Sequence, residues 1–133
     1  MSRTEAREQA FVFLFEKLFN PELSFDELCA LAAQSRVFEP DLYTRDIFEK
    51  TVENIETTDS VINSYAKKWR TARMPKVTLC ILRLAVTEIL LMEATPDSVA
   101  ANEAVELAKK YATPDDAQFI NGILGAVIRG KAQ

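Results

Sequence analysis

The sequence predicts an all-α fold, a compact bundle of about seven helices in two subdomains around a central apolar helix. Apolar residues recur at the three- and four-residue spacing of amphipathic helices, and no stretch alternates apolar and polar residues as a strand does. Only 3 Gly and 5 Pro occur in 133 residues, so few breaks interrupt the helices. This length, with 48% hydrophobic residues, suits a single domain spanning residues 1–133.

The first three helices are predicted from their start signals. Ser2 with Glu5, and Ser24 with Glu27, have the spacing of a capping box, which satisfies free backbone amides at a helix N-terminus. Pro40 is predicted to open the third helix, because proline suits the first helical turn. The inward stripe of the first helix is predicted to be Phe11, Leu14, Phe15, Leu18 and Phe19.

Four more helices follow. Thr57–Asp59 interrupts the apolar pattern and is predicted to cap the fourth. Val77–Met92 is apolar nearly all round, which predicts the central, buried helix. Pro96 and Thr113–Pro114 mark the starts of the sixth and seventh. The inward residues of the fourth helix are predicted to be Ile62, Tyr65, Ala66 and Trp69.

Charge is distributed unevenly along the chain. Residues 1–59 carry 6 basic and 13 acidic side chains, whereas residues 60–133 carry 10 and 7, which suggests subdomains of about 1–59 and 60–133. The net charge of −4 argues against nucleic acid, but six cations without an acid between them can attract phosphates locally. A solvated helix face is the alternative interpretation. These cations are Lys67, Lys68, Arg70, Arg73, Lys76 and Arg83.

Residue types that usually carry catalysis are absent or scattered. The chain has no His, the commonest general base and metal ligand, and its 2 Cys are too far apart for a zinc site of ordinary spacing. Glycine-rich phosphate loops and nucleophile motifs are also missing. We therefore expect no enzyme activity, metal or cofactor. A start without an apolar signal segment and an apolar run too short for a bilayer predict a cytoplasmic protein.

Individual side chains allow two interpretations each. Arg3 and Arg7 share a face of the first helix and either contact RNA or form surface ion pairs. Phe119 lies at the edge of an apolar stripe, where it either completes the core rim or stacks on an unpaired base. Arg83 and Glu88 interrupt the central helix and are predicted to pair with charges on other helices, Glu103 and Glu106 being the candidates for Arg83.

Four sequence blocks, in this order, resemble the NusB family of transcription antitermination factors, and together they span most of the chain. The resemblance implies an all-helical protein in two subdomains that has no catalytic activity. The four blocks are Ala6–Phe11 with Leu14 and Phe15, Ile81–Ile89, Asn102–Lys109 and Phe119–Leu124.

The resemblance also implies partners and contact residues. It implies binding, together with the ribosomal protein NusE, to the single-stranded boxA element of nascent RNA, within the RNA polymerase antitermination complex on ribosomal RNA operons. The implied RNA contacts are Arg3, Arg7, Phe15, Gln118 and Phe119. The implied partner surface is Ala72, Arg73, Lys76, Thr78 and Leu82.

The N-terminal arginine cluster of the family is reduced here to Arg3 and Arg7, with Thr4 and Glu5 between them. Fewer phosphate contacts predict that RNA binding depends heavily on the partner. Two alternatives stay open: an RNA-binding appendage of an RNA cytosine methyltransferase, and a protein-only helical scaffold. A homodimer that hides a binding surface is a further expectation.

Overall fold

The structure is a computed structural model that describes residues 1–36 and 38–131. Within those residues the backbone forms α-helices and one short 3-10 helix, with no β-strand, which confirms the all-α prediction. The elements in chain order are α1 Arg3–Phe19, α2 Phe25–Ser35, α3 Leu42–Glu53, α4 Ile55–Tyr65, a 3-10 helix Thr71–Arg73, α5 Lys76–Leu91, α6 Asp97–Tyr111 and α7 Pro114–Lys131. In this part of the chain no helix combines the length and the apolar character that a bilayer crossing requires.

Both predicted capping boxes form. Ser2 Oγ accepts a hydrogen bond from the backbone N–H of Glu5 at 3.0 Å, and the Glu5 carboxylate accepts one from the backbone N–H of Ser2 at 3.1 Å. Ser24 and Glu27 make the same reciprocal pair at the start of α2. These bonds satisfy amides that have no partner within the helix. Donation by the backbone N–H of each serine lowers the pKa of Glu5 and of Glu27.

The predicted start of α3 is wrong by two residues. The helix begins at Leu42 and not at Pro40. Asp41 sets this boundary, because its carboxylate accepts a hydrogen bond from the backbone N–H of Tyr43 at 2.7 Å and so caps the helix.

The fourth helix also differs from its prediction at both ends. It begins at Ile55, so Thr57–Asp59 lies inside its first turns. The Thr58 hydroxyl donates to the carbonyl oxygen of Ile55 at 3.1 Å, so the helix itself satisfies a side chain that had been expected to cap it. The helix ends at Tyr65, which is 40% exposed, and Trp69 lies in the following loop.

The central helix is α5, as predicted. It packs against α1, α3, α4, α6 and α7, and 11 of its 16 residues are buried. Burial raises the pKa of its Cys80 thiol to about 12, which suppresses the thiolate form and its reactivity. Because α5 contacts helices from both halves of the chain, the two halves share one core. The division at about residue 59 stays a prediction.

Aromatic rings build the core beside α1. Phe13 meets Phe25 and Phe38 edge to face, both at 5.6 Å between ring centroids, and Phe48 at 6.3 Å. The predicted stripe omits Phe13, which is 1% exposed, and is wrong at Phe19, which is 61% exposed. The reason is that α3 packs along α1 and decides which face is buried, and spacing within α1 does not reveal this neighbour.

A buried ion pair joins α1 to α5. Arg7 and Glu88 are 5% and 1% exposed, and Arg7 Nε lies 2.9 Å from each carboxylate oxygen. Arg7 Nη2 lies 2.8 Å from Glu88 Oε2. Tyr43 of α3 and Thr95, in the turn before α6, donate hydroxyl hydrogen bonds to the same carboxylate. Each buried charge therefore has a counter-charge and hydrogen-bond partners, the condition under which burial is tolerated.

The other charge of α5 pairs on a different side of the helix. Arg83 Nε and Nη2 donate to the two carboxylate oxygens of Asp59, each at 2.8 Å. The prediction that Arg83 pairs with another helix is confirmed, but its candidate partners Glu103 and Glu106 are wrong. Arg83 faces α4 on its side of α5, whereas the Glu103 carboxylate faces α1 and accepts a hydrogen bond from the Thr4 hydroxyl at 2.9 Å.

Arg7→Ala is expected to lower the free energy of unfolding by about 3 kcal/mol or more, because Glu88 would stay buried without its counter-charge. Adding Glu88→Gln removes that stranded charge and is expected to restore part of the loss. Urea unfolding followed by circular dichroism measures both. Arg45→Ala removes a half-buried cation of α3 whose partner Asp26 is exposed, and it serves as the control with a smaller expected loss. An equal loss of unfolding free energy in Arg7→Ala and in Arg45→Ala would contradict the buried-charge explanation.

Candidate nucleic-acid interface

The start of α1 holds one exposed arginine in a fixed position. Arg3 lies in the first turn, where the free amides of the helix give a partial positive charge. Its guanidinium carbon lies 3.9 Å above the centroid of the Tyr43 ring, a cation–π contact. Burial and donation of the Tyr43 hydroxyl to Glu88 raise the pKa of Tyr43, which keeps the phenol protonated. Tyr43 thus connects an exposed cation to the buried ion pair.

Arg7 does not lie on this surface. Its side chain is 6% exposed and is committed to Glu88. Burial alone would lower the pKa of Arg7, but hydrogen bonds and charge from Glu88 outweigh it and raise that pKa. The prediction of Arg7 as an RNA contact is therefore corrected: the two arginines share a face by spacing, but α1 packs against α5 and this contact covers the Arg7 side chain.

Phe15 lies in a row of rings along α1. It is half-buried, with ring centroids 6.4 Å from Phe11 and 5.2 Å from Phe19. Phe11 in turn meets Tyr111, at the end of α6, at 4.9 Å. The Tyr111 hydroxyl donates to Glu8 of α1. The row therefore extends from α1 to the end of α6, just before α7 begins.

Phe119 and Gln118 lie in the second turn of α7. Thr113 and Asp116 fix the start of this helix, since the Thr113 hydroxyl donates to Asp116 Oδ2 at 2.8 Å and accepts from the Asp116 backbone N–H at 3.1 Å. Gln118 is exposed and Phe119 is half-buried. The Phe119 ring meets the Trp69 ring at 4.9 Å and 65°, an edge-to-face contact.

An open groove runs between α6 and α7 and includes Gln118, the chain neighbour of Phe119. Its volume is about 630 Å³, and it is lined by amide and charged side chains as well as Val105, Pro114 and Ala117. Amides of Asn and Gln offer both donors and acceptors, the combination that reads the edge of a nucleobase. The polar side chains of the groove are Asn102, Lys109, Asp115, Gln118 and Asn121.

The cations between Lys67 and Lys76, here called the basic segment, lie on the surface. None of them makes an ion pair with another described residue, whereas Arg83, the sixth cation of the sequence window, is occupied by Asp59. The acid-free window therefore loses one cation to the fold. The basic segment comprises Lys67, Lys68, Arg70, Arg73 and Lys76, all exposed.

The predicted partner surface is only partly accessible. Ala72, Arg73 and Lys76 are exposed. Thr78 and Leu82 are each 0% exposed, so neither can touch a partner directly, and their prediction as contacts is corrected. Both lie on α5 after its first exposed residue, where the helix enters the core. The Thr78 hydroxyl has no hydrogen-bond partner among the described residues.

The sequence model of the NusB family matches residues 4–129. The chain belongs to the NusB family. The transcription antitermination protein NusB of Finegoldia magna is 37% identical over 132 residues, which cover 98% of this chain and 96% of that protein. That of Symbiobacterium thermophilum is 41% identical over 143 aligned positions, covering 98% and 91%. A solved complex of the antitermination factors NusB and NusE with double-stranded RNA matches with a TM-score of 0.83, 25% identity and 96% of each chain.

On this NusB scaffold the structure brings some predicted residues together and separates others. Gln118 and Phe119 are adjacent, but no ring contact joins Phe15 to Phe119 among the described aromatic residues. Two contributors were not predicted as site residues, Tyr43 beneath Arg3 and Trp69 beside Phe119. The sequence does contain a signal for Trp69: it is an aromatic residue directly flanked by Lys68 and Arg70, a pattern typical of single-strand binding.

Phe119→Ala is expected to move the fluorescence emission of Trp69 to longer wavelength and to increase its quenching by acrylamide, because the Phe119 ring covers part of the indole. The chain contains a single tryptophan, Trp69, so its tryptophan emission reports on this residue alone. Phe15→Ala is the control and is expected to leave both quantities unchanged. Identical quenching in the two variants would show that the Trp69–Phe119 contact does not form in solution.

Proposed function

We propose that the chain is an RNA-binding transcription antitermination factor that acts with a NusE-type ribosomal protein. Its target is the boxA element of nascent ribosomal RNA, and the assembled complex acts on RNA polymerase in the cytoplasm. The observation that carries the proposal is the half-buried Phe119, adjacent in the chain to the exposed Gln118 that lines the groove, in a chain of the NusB family. The proposed role needs no catalytic step, metal or cofactor.

The chemistry of the surface supports RNA as the ligand. A half-exposed ring can stack on an unpaired base, which contributes roughly 1–3 kcal/mol per base in single-strand binding proteins. Gln118 offers a donor and an acceptor next to it. Arg3, held over Tyr43, supplies a phosphate contact of fixed position. Phe15, further along α1, is proposed as an additional RNA contact from the exposed part of its ring.

The partner is proposed to contact Ala72, Arg73 and Lys76. These residues are exposed at the 3-10 helix and at the start of α5. A net charge of −4 works against a polyanion, and the burial of Arg7 removes one further phosphate contact. Both points support the idea that this protein binds RNA tightly only when the partner supplies additional contacts.

The state of the RNA is part of the proposal. The solved NusB–NusE complex contains double-stranded RNA, whereas a half-exposed ring in this protein can stack only on an unpaired base. We therefore propose a single strand as the functional ligand. A duplex of the same sequence is the discriminating competitor.

Phe119→Ala is expected to weaken binding of a single-stranded boxA-type RNA by roughly tenfold in the presence of the NusE-type partner, through the lost stacking. Fluorescence anisotropy of labelled RNA at fixed salt measures the affinity. Ile128→Ala, a half-buried residue near the end of α7, is the control for loss of packing without loss of the ring. Unchanged RNA affinity in folded Phe119→Ala protein would remove the stacking role.

The double variant Arg73→Glu with Lys76→Glu is expected to weaken binding of the NusE-type partner at least tenfold without RNA, because it reverses two exposed charges on the proposed partner surface. Isothermal titration calorimetry measures this affinity. Lys50→Glu, which reverses a half-buried charge of α3 outside the proposed partner surface, is the control. The same affinity in the double variant and the control would place the partner elsewhere. Partner binding with no preference for boxA-type RNA would favour the scaffold alternative.

A further inference from the structure

The loop between α4 and the 3-10 helix carries an aromatic side chain flanked by cations. Trp69 is half-buried and its ring meets Phe119 of α7 at 4.9 Å, although the two residues are far apart in sequence. The edge-to-face angle of 65° sets the two ring planes steeply against each other. Phe119 is thus one half of an aromatic pair, and the other half belongs to the basic segment.

Hydrogen bonds fix both ends of this loop. Asn63 of α4 accepts from the backbone N–H of Thr71 at 2.8 Å and donates to the Thr71 hydroxyl at 3.1 Å. Ala66 and Met74, on either side, are 3% and 5% exposed and anchor the chain in the core. The residues between them are therefore held at the surface by specific bonds, and Trp69 has a defined position.

The charges around Trp69 are available to a ligand. Lys67, Lys68 and Arg70 are exposed and make no ion pair with another described residue. Successive Cα atoms are about 3.8 Å apart, so all three cations originate within two residues of the ring. Three like charges this close repel one another until a polyanion neutralises them.

We propose that Trp69, with Lys67 and Lys68, forms the second half of the RNA site, over which the strand continues after it passes Phe119. This rests on the proposed function and extends it to residues outside α1 and α7. Trp69 supplies a second stacking surface, and the lysines contact phosphates, so they raise affinity without reading sequence. The basic segment is then divided: Lys67 and Lys68 serve RNA, whereas Arg73 and Lys76 serve the protein partner.

The combination of charge and ring geometry favours RNA over an acidic protein at this end of the segment. An acidic protein surface would use the cations but would leave a half-exposed aromatic pair without a planar partner. A single strand uses both, because every nucleotide brings a phosphate and a planar base. The aromatic pair is confined to the Lys67–Arg70 end, and the exposed residues from Ala72 to Lys76 include no aromatic side chain.

Trp69 fluorescence gives the direct test. Titration of the chain, with and without the NusE-type partner, by single-stranded boxA-type RNA is expected to quench Trp69 emission saturably and to protect it from acrylamide. The same titration of Trp69→Phe serves as the blank for any tryptophan of the partner. RNA that binds by anisotropy while Trp69 emission and acrylamide quenching stay constant would overturn the proposed stacking.

A second experiment tests the phosphate contacts by substituting surface lysines, which leaves the core intact. Lys67→Gln with Lys68→Gln is expected to weaken RNA binding roughly tenfold and to reduce the slope of log K against log salt by about 1.4, the value for two lost single-strand phosphate contacts. The control, Arg45→Gln with Lys50→Gln, removes the same net charge from α3 and is expected to change the slope much less.

Three results separate the possibilities. An unchanged salt slope in the Lys67/Lys68 variant, relative to the control, would overturn the proposal while the proposed function stands. Loss of partner affinity measured without RNA, at unchanged RNA affinity, would assign the lysines to the protein partner and also overturn it. If the wild-type chain with its partner binds boxA-type RNA no more tightly than an unrelated single strand, the proposed function itself fails.

Discussion

A buried ion pair between Arg7 and Glu88 fixes the relation between the first and the central helix. Tyr43 of α3 and Thr95 before α6 bind the same carboxylate, so four parts of the chain meet at one buried charge. Removing any one partner leaves desolvated charge behind, which makes this arrangement strongly preferred over near alternatives. The position of Arg3 depends on it, because the Tyr43 ring beneath Arg3 is held by its hydroxyl at Glu88.

Pairing of buried arginines with carboxylates also explains which cations face solvent. Arg7 and Arg83 lie in the part of the chain that matches the NusB family, yet both are paired inside the bundle, with Glu88 and Asp59. What remains outside is Arg3 at one helix start and the basic segment Lys67–Lys76. An acidic protein can therefore present local positive patches, and we propose that a second protein supplies the remaining affinity for RNA.

The proposed interface is divided by the packing of α7 against the loop after α4. Phe119 touches Trp69, so the stacking surface adjoins the cations that precede the 3-10 helix, and the partner surface begins where that helix leads into α5. In this arrangement RNA and protein bind to neighbouring parts of one continuous segment. Cooperation between the two ligands then follows from proximity, since each increases the local field or contact area available to the other.

The sequence by itself determined the helical class, both capping boxes, the central place of α5 and the proximity of Gln118 and Phe119, because these depend on local spacing, backbone amides and overall apolarity. Local signals misplaced the start of α3, which the Asp41 carboxylate caps, and the start of α4, which follows Asn54 without a side-chain cap. Only the tertiary structure decided that Arg7, Thr78 and Leu82 are buried, that Arg83 pairs with Asp59, and that Trp69 meets Phe119. Each of these depends on which helix covers which face, and that is set by contacts between residues far apart in the chain.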